Sequence, residues 1–302
     1  MVATFVIERA GPLTSIQDAG RFGFLAHGIS ASGPMDESAF RRAGRLAGSG
    51  AGAGAGIEFS MLGLDLVIAE GEVMAGWDGG VFEVLVNGQR REWPGSARLG
   101  AGDRLSILAG TGGNYGYLRF GGEIDVPLVM GSRATSLRAR IGGLDGRALR
   151  AGDRLAIIGD GEAPAAVAPR RRADGPIRFV WGLHAEVFEA GLREKFVTSA
   201  FRISSMMDRM GVRLRDEARV FAEARILSLV SDPVVAGDIQ ILGDGTPIVL
   251  GRDHQPTGGY PRIGTIISAD LDRFFQLRPN AELVFAPVGT DHAQALLRSE
   301  IA

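Results

Sequence analysis

Hydrophobic and polar residues alternate along most of this chain, and a period of two is typical of half-buried β-strands. The alternating runs are rich in Val, Ile, Phe and Tyr and are separated by glycine-rich breaks. We predict strands at residues 4–7, 65–68, 82–86, 115–120, 177–180, 226–229, 247–250 and 265–267.

A short turn-and-strand cassette repeats along the chain. The cassette, an Ala-Gly-Asp turn with an alternating run after it, occupies residues 99–107, 149–157 and 235–241, and a degenerate copy with Asn280 at the glycine position occupies residues 277–285. Gly and Asn tolerate the positive φ that many tight turns require. Because few helices separate these strands, we predict a mainly β fold built from barrels.

Two short helices are predicted between the strands. The first spans residues 37–47, with Asp36 as its N-cap and Gly48 directly after its end. The second spans residues 185–196, and its apolar face is formed by Val187, Phe188 and Leu192.

Two low-complexity segments lie between the predicted elements. Residues 48–56 contain only Gly, Ala and Ser, and they follow a helix and precede a strand, the reverse of a dinucleotide-binding loop. We therefore interpret them as a surface loop. Residues 159–176, rich in Pro, Ala and Arg, are typical of a linker. We predict an N-terminal domain at 1–160, a linker at 161–175 and a C-terminal domain at 176–302.

Composition excludes several classes of protein. Lys195 is the only lysine among 33 basic residues, and its surroundings match neither a P-loop, nor a Schiff-base site, nor a biotin-attachment site. The 302 residues include no cysteine, which excludes disulfides and thiolate chemistry. A net charge of −2 favours no nucleic-acid partner. The chain has neither a membrane-length apolar run nor a signal-peptide pattern, so we expect a cytoplasmic protein.

Candidate chemistry is concentrated in four polar segments, of which the first spans residues 11–36. This segment contains Gln17, Asp18, Arg21 and His27, which supply an amide, a carboxylate, a fixed cation and an imidazole. Such groups could bind a small substrate and transfer a proton. Alternatively, Asp18 and Arg21 form a local ion pair that only supports the loop.

The second and third segments each contain an arginine beside small or polar residues. Arg133 could bind a carboxylate through two hydrogen bonds, or it could pair structurally with Asp125. In Met-Asp-Arg-Met-Gly, Asp208 precedes Arg209 directly. Because burying these charges unpaired is costly, we expect the pair either at the surface or organised in a site.

The fourth segment, residues 252–261, combines a histidine with a glycine-lined turn. His254 could transfer a proton near neutral pH. The residues after it could bind an anion through backbone N–H groups and a tyrosine hydroxyl; they are Thr257, Gly258, Gly259 and Tyr260. The four histidines of the chain lack metal-ligand spacing, so we predict no dedicated metal site.

At these same segments the chain resembles the allophanate hydrolase subunit 2 family, also called the biotin-dependent carboxyltransferase-like family. This family includes the C subunit of 5-oxoprolinase and part of the carboxyltransferase region of urea amidolyase. The matching stretches are GPLTSIQDAGRFGF at 11–24, SGPMD at 32–36, GGEIDVPLVMGSRATSLR at 121–138, MDRMGVRL at 207–214 and TGGYPRIGTIISADL at 257–271. They keep their order, so the resemblance covers essentially the whole chain.

The resemblance implies tandem cyclophilin-like β-barrels, and it also implies partners. One is a subunit 1 homologue similar to the B subunit of 5-oxoprolinase; a third chain, similar to its A subunit, would join them in the 5-oxoprolinase case. ATP and Mg²⁺ would be used by the assembled complex, and biotin would act only if supplied in trans. The implied activity is ATP-dependent hydrolysis of a cyclic amide, 5-oxo-L-proline, to L-glutamate. Carboxyl transfer to urea or a related amide, and non-enzymatic binding of a histidine-kinase inhibitor, are the alternatives.

Within the hydrolase reading, the four segments divide into two roles. Positioning water or moving a proton is assigned to the groups that titrate: Asp18, Asp208 and His254. Substrate binding, including capture of a carboxylate, is assigned to Gln17, Arg21, His27, Arg133, Arg209 and the turn at 257–260.

Overall fold

The chain forms two compact units. The computed structural model describes residues 3–49, 54–159, 161, 163–165, 167, 174–222, 224 and 228–301. The first unit comprises Met1–Gly23 and Ala31–Arg170, and the second comprises Phe24–Ser30 and Arg171–Ala302. The segment Phe24–Ser30 thus belongs to the second unit, although it lies inside the predicted N-terminal domain. Much of the predicted linker at 161–175 lies outside the described residues.

The described residues of the first unit form a ten-stranded sheet around an apolar core. Its order is β2-β3-β8-β4-β1-β10-β9, and β5 pairs with β6, β7 and β8. The strands are β1 (Ala3–Ala10), β2 (Ser15–Gln17), β3 (Gly56–Ser60), β4 (Leu64–Glu70), β5 (Glu72–Val86), β6 (Gln89–Arg91), β7 (Gly95–Gly100), β8 (Arg104–Phe120), β9 (Glu123–Ile124) and β10 (Arg154–Ile158). Alternate residues of β1 are buried, and Phe5 stacks on Phe120 at 5.0 Å between ring centroids.

The second unit has its own sheet and core. Eight of its ten described strands form one sheet in the order β19-β12-β13-β16-β15-β18-β11-β20, and β14 pairs separately with β17. The strands are β11 (Ile177–Trp181), β12 (Phe201–Met207), β13 (Gly211–Arg215), β14 (Asp232–Pro233), β15 (Asp238–Ile241), β16 (Pro247–Leu250), β17 (Thr257–Gly258), β18 (Arg262–Ile266), β19 (Glu282–Leu283) and β20 (Phe285–Pro287). Stacking of Phe196 on Phe285, at 5.0 Å, lies in this core.

The predicted mainly β fold is confirmed. Strands account for 41% of the chain against 16% for helices, and the sheets form a half-barrel and a nearly closed barrel. Seven of the predicted strands overlap observed ones. Of the strand predicted at 226–229, residues 226 and 227 lie outside the described residues, and residues 228 and 229 do not belong to a strand.

The repeated cassettes are confirmed as tight turns. Gly102, Gly152 and Gly237 have φ of 91°, 91° and 92°, and Asn280 has φ of 71°. In each Ala-Gly-Asp copy the aspartate closes the turn, because its carboxylate accepts the backbone N–H three residues earlier, at 2.7 to 2.9 Å. The residues within each cassette therefore determine its turn.

One helix prediction is confirmed and the other needs correction. Helix α1 (Glu37–Ala47) begins at Asp36, whose carboxylate accepts the Ala39 N–H at 3.0 Å, and ends at Gly48 with φ of 71°. The helix predicted at 185–196 is instead a 3-10 turn (Ala185–Val187) followed by α2 (Ala190–Thr198).

The break between these two elements occurs at Phe188. Its backbone is extended, with ψ of 129°, and its ring packs 5.8 Å from that of Phe221. Burial of this one ring therefore overrides the helical pattern. Two further helices, α3 (Ser268–Phe275) and α4 (Thr290–Ile301), were not predicted. Within the described residues, no helix is both long and apolar enough to span a membrane.

Candidate functional site

In the first unit, the Gln17–Arg21 loop is joined to residues 129–135 by buried hydrogen bonds. The Gln17 amide donates to Ser15 Oγ at 3.0 Å and to the Thr135 carbonyl at 3.1 Å, and its oxygen accepts the Gly33 N–H at 3.0 Å. The first and second candidate segments therefore lie together. Because these bonds occupy the Gln17 amide, its predicted role in substrate binding would require breaking them.

Asp18 is the centre of this junction. Its Oδ1 accepts bonds from the Gly20 N–H at 2.9 Å and the Ser132 hydroxyl at 2.6 Å, and its Oδ2 accepts the Arg133 N–H at 2.5 Å. A carboxylate that accepts three such bonds is strongly held in one orientation. Asp18 thus positions the Ser132–Arg133 backbone, and its predicted acid–base role stays a prediction.

The two arginines of this junction do not have the partners considered from the sequence. The Arg21 guanidinium donates to the carbonyls of Val129 and Ala134, at 2.9 and 2.8 Å, and its residue is 1% exposed. The backbone carbonyls take the Nε and Nη2 donors of Arg21, which are the edge that would grip a carboxylate, so its expected role in substrate binding stays a prediction that would require breaking these bonds. Arg133 lies 3.7 Å from Glu123 rather than pairing with Asp125, and it donates to the Val126 carbonyl.

Arg119 on β8 belongs to the same cluster, although the sequence did not single it out. Its guanidinium carbon lies 4.3 Å from the centre of the Phe40 ring. Burial lowers the pKa of Arg119 to about 10, and the nearby Glu123 and Asp18 carboxylates oppose this shift. The sequence around Arg119 on β8 does not reveal that this arginine, unlike most arginines, is buried.

The Ser-Gly-Pro-Met-Asp stretch is held by a separate buried network. Glu58 Oε2 accepts the Met35 N–H at 2.8 Å and the Tyr117 hydroxyl at 2.9 Å, and the Tyr117 oxygen accepts the Asp36 N–H at 2.7 Å. Burial, with the Glu58 and Asp36 charges, raises the pKa of Tyr117 well above its ordinary value. The tyrosine therefore stays protonated and positions the start of α1.

In the second unit, Arg209 pairs with a distant aspartate instead of its neighbour Asp208. Its Nε and Nη2 donate to the two carboxylate oxygens of Asp253, at 2.9 and 3.2 Å. Asp208 is exposed at the turn between β12 and β13, where its Oδ1 accepts the N–H groups of Met210 and Gly211. Arg209 is therefore a poor candidate for the predicted carboxylate binding, since Asp253 already occupies its donors.

His254 lies directly after this buried ion pair. Its Nδ1 is 2.7 Å from the Gln255 carbonyl. Because a carbonyl only accepts hydrogen bonds, Nδ1 carries the proton, and Nε2 is the acceptor in the neutral ring. This tautomer fits the predicted role of His254 in proton transfer, which stays a prediction.

The turn at 257–260 differs from the expected anion nest. Thr257 and Gly258 form β17, which pairs with Asp232 and Pro233. Neither glycine of this turn has a positive φ, so the backbone lacks the alternating left-handed geometry of a nest. A Cβ at Gly258 would collide with the Gln240 amide, so this glycine allows close packing. The Tyr260 ring is 39% exposed and can still contact a ligand.

A histidine–aspartate–arginine group beside β17 was missed by sequence reasoning. His184 Nδ1 accepts the Arg262 N–H at 3.2 Å, and its Nε2 lies 3.8 Å from Asp232 Oδ2. The Arg262 guanidinium bonds both Asp232, at 2.5 Å, and Asp238, at 3.2 Å. These residues are far apart in sequence, so no local motif could have revealed the group.

His27 lies in the 3-10 turn Leu25–His27 of the second unit and is exposed.

The chain belongs to the carboxyltransferase domain family, subdomains A and B, whose profile matches residues 27–287. Its relatives include the C subunit of 5-oxoprolinase from Escherichia coli K12, which is 35% identical over 296 residues, covering 95% of this chain and 92% of the relative. The corresponding 5-oxoprolinase C subunit of Haemophilus influenzae is 31% identical, covering 94% of this chain and 91% of the relative.

A solved structure shares the fold of the whole chain. The crystal structure of urea amidolyase from K. lactis superposes with a TM-score of 0.90 at 26% identity, covering 99% of this chain. The chain spans only 19% of that protein. The fold is therefore that of one region of a much larger enzyme.

Proposed function

We propose that this chain is a subunit of an ATP-dependent hydrolase of the 5-oxoprolinase type, which converts 5-oxo-L-proline to L-glutamate. The observation that supports this is the match to the 5-oxoprolinase C subunit along nearly the full length of both proteins. The match to urea amidolyase, in contrast, covers a small part of the larger enzyme. Two further chains, similar to the B and A subunits of 5-oxoprolinase, would complete the complex.

The proposed chemistry needs an activated lactam and a proton carrier. Phosphorylation of the lactam oxygen by ATP would turn a poor amide into an imidate that water can open. In this chain, His254 Nε2 is the available acceptor, and Asp208 Oδ2 is not used by the bonds at its turn. We propose these two groups as the proton carriers. ATP and Mg²⁺ would be bound by the assembled complex, which we expect in the cytoplasm.

The test is to co-express the chain with its genomic-neighbour subunits and purify the assembled complex. We expect glutamate release from 5-oxoproline that requires ATP, forms ADP in step and is absent when this chain is omitted. A soluble, assembled complex without this activity would contradict the proposal.

Variants of two histidines test the proposed proton carrier. His254→Gln should lower kcat about 100-fold, because a positioned acid or base contributes on that order. His292→Gln is the matched control, since His292 is exposed on α4. Equal activity of the two variants would remove His254 from the mechanism while leaving the overall reaction intact.

A second candidate function is a carboxyltransferase component that acts on urea or a related amide. The TM-score of 0.90 with urea amidolyase favours it. This chain offers only the exposed Lys195 on α2, so biotin would have to come from a separate carrier protein. Avidin separates the two candidates: it should abolish carboxybiotin-dependent turnover of urea and leave 5-oxoproline hydrolysis unchanged.

A further inference from the structure

Arg119 is a buried cation with two guanidinium nitrogens that make no hydrogen bond to the described residues. The residue is 2% exposed, and its Nε and Nη2 have no hydrogen-bond partner in the described part of the chain. The side chain is held from one face by the Phe40 ring. A buried guanidinium without acceptors is costly, because water has been removed and nothing replaces it.

The two unused nitrogens are the pair that binds a carboxylate elsewhere in this protein. Nε and Nη2 lie on one edge of the guanidinium plane and point the same way, matching the two oxygens of a carboxylate. The same two nitrogens donate to both oxygens of one aspartate, at 2.7 to 3.2 Å, in Arg9–Asp65, Arg178–Asp270 and Arg209–Asp253. No carboxylate among the described residues bonds this edge of Arg119.

The charged groups near Arg119 are bonded to other partners. Asp18 accepts its three bonds from Gly20, Ser132 and Arg133. Glu123 accepts the Ala55 N–H at 2.7 Å, and its other oxygen lies 3.7 Å from Arg133. These carboxylates favour the charged form of Arg119 without filling its free edge. The cluster contains three arginines, Arg21, Arg119 and Arg133, against the two carboxylates Asp18 and Glu123.

Three glycines, Gly44, Gly54 and Gly56, pack against the Arg119 side chain. A Cβ at Gly54 would lie 2.7 Å from Nη2, and one at Gly44 would lie 3.2 Å from Nη1. At Gly56 a Cβ would collide with the Arg119 Cδ. The described end of the low-complexity segment therefore packs on Arg119, and it is more than the surface loop expected from the sequence.

We infer that the Nε/Nη2 edge of Arg119 is a binding site for the carboxylate of a small organic acid. The assignment of that acid as 5-oxoproline, or its product glutamate, rests on the proposed function. Both nitrogens are enclosed, and the Gly54 backbone packs against Nη2, which favours a small acid over a macromolecule. Arg119 then offers the open Nε/Nη2 edge that Arg21 and Arg209, whose same edges are already bonded, do not.

Thermal unfolding of the full chain tests carboxylate binding directly. 5-Oxoproline at millimolar concentration should raise Tm by a few degrees, whereas 2-pyrrolidone, the same lactam without its carboxylate, should not. Arg119→Met should abolish the shift, and Arg119→Lys, which keeps the charge but lacks the fork, should weaken binding about tenfold. Arg104 is an exposed residue of the same strand, so the control variant Arg104→Met should show the same rise in Tm with 5-oxoproline as the wild type.

Two outcomes of this experiment would overturn the inference. One is a wild-type Tm that responds equally to 5-oxoproline and 2-pyrrolidone, or to neither. The other is an undiminished carboxylate-dependent shift in folded Arg119→Met. Arg119→Lys keeps the test valid if the methionine variant fails to fold.

Kinetics of the assembled complex separate this inference from the proposed function. Arg119→Lys should raise KM for 5-oxoproline about tenfold with a smaller effect on kcat. An active complex with unchanged KM would refute the inference and leave the proposed function standing. If the complex lacks lactam hydrolysis but this chain alone still binds carboxylates through Arg119, only the proposed function is refuted.

Discussion

Arg209 in the second unit and Arg119 in the first are equally buried, each 2% exposed, but they differ in what neutralises them. Arg209 has both oxygens of Asp253 on its Nε/Nη2 edge, whereas Arg119 has an aromatic ring and two carboxylates that are bonded to other groups. The first arrangement stabilises a fold. The second keeps a cation ready for a ligand at the cost of stability.

The largest expected effect is removal of the partner of Arg209. Asp253→Asn leaves the buried guanidinium uncompensated, and we expect a loss of about 3–5 kcal/mol in the free energy of unfolding. Urea denaturation measures it. Asp208→Asn is the control, because an asparagine also forms the exposed turn that Asp208 makes. A loss below about 1 kcal/mol for Asp253→Asn would show that burial of Arg209 does not depend on this pair.

Asp18→Asn should have the next largest effect. The asparagine NH₂ group cannot accept the hydrogen bonds that one of the Asp18 oxygens accepts, so a buried donor such as the Arg133 N–H loses its partner. We expect a loss of about 2 kcal/mol in the free energy of unfolding. Denaturation of the Ser132→Ala variant, which removes one neutral donor to the same carboxylate, should show a smaller loss. An Asp18→Asn variant as stable as the wild type would contradict the role of Asp18 in joining the two segments.

Arg119→Met should change the free energy of unfolding in the opposite direction. Removing an uncompensated buried charge relieves its desolvation, and the lost contact with Phe40 offsets part of the gain, so we expect unliganded protein to be about 1 kcal/mol more stable. The exposed, ion-paired Arg104 is the control, and Arg104→Met should change stability by about 0.5 kcal/mol or less. Destabilisation by Arg119→Met would mean that Arg119 supports the fold as Arg209 does.

The smallest effects concern acid pH, where two buried aspartates should behave oppositely. Desolvation raises the pKa of Asp78 despite its bond to Arg42, so ionisation of Asp78 lowers stability as pH rises through its raised pKa. Desolvation is also the largest effect on Asp270, but the hydrogen bonds from Arg178 and the charges of Arg273 and Arg178 together outweigh it and lower the pKa. The stability from Asp270 is therefore present above its unfolded pKa of 3.8 and is lost as pH falls through its folded value.

Stability measured from pH 3 to 7 tests this contrast. Asp270→Asn should flatten the loss of stability below pH 4, and Asp78→Asn should remove a gain of stability on acidification. Equal slopes for the wild type and both variants would contradict the assigned directions.

Parts of the fold could be predicted because their causes are local. The Ala-Gly-Asp turns combine a positive-φ residue with an aspartate that closes the turn three residues back. Helix α1 has both caps within its own sequence. The second helix could not be predicted correctly, because the extended backbone at Phe188 depends on a ring, Phe221, that is distant in the chain.

By itself, the sequence determined the mainly β class, the turns, the first helix and the family, since each depends on neighbouring residues or on motifs kept in order. Only the tertiary structure decided which charges meet. Arg209 finds its aspartate 44 residues away, and Arg21 finds the Ala134 carbonyl 113 residues away. Strand register and burial bring these groups together. Burial also makes their pairing important for stability, because a buried charge without a partner is costly. The same reason left Arg119 unnoticed: one arginine among many is distinguished only by what surrounds it.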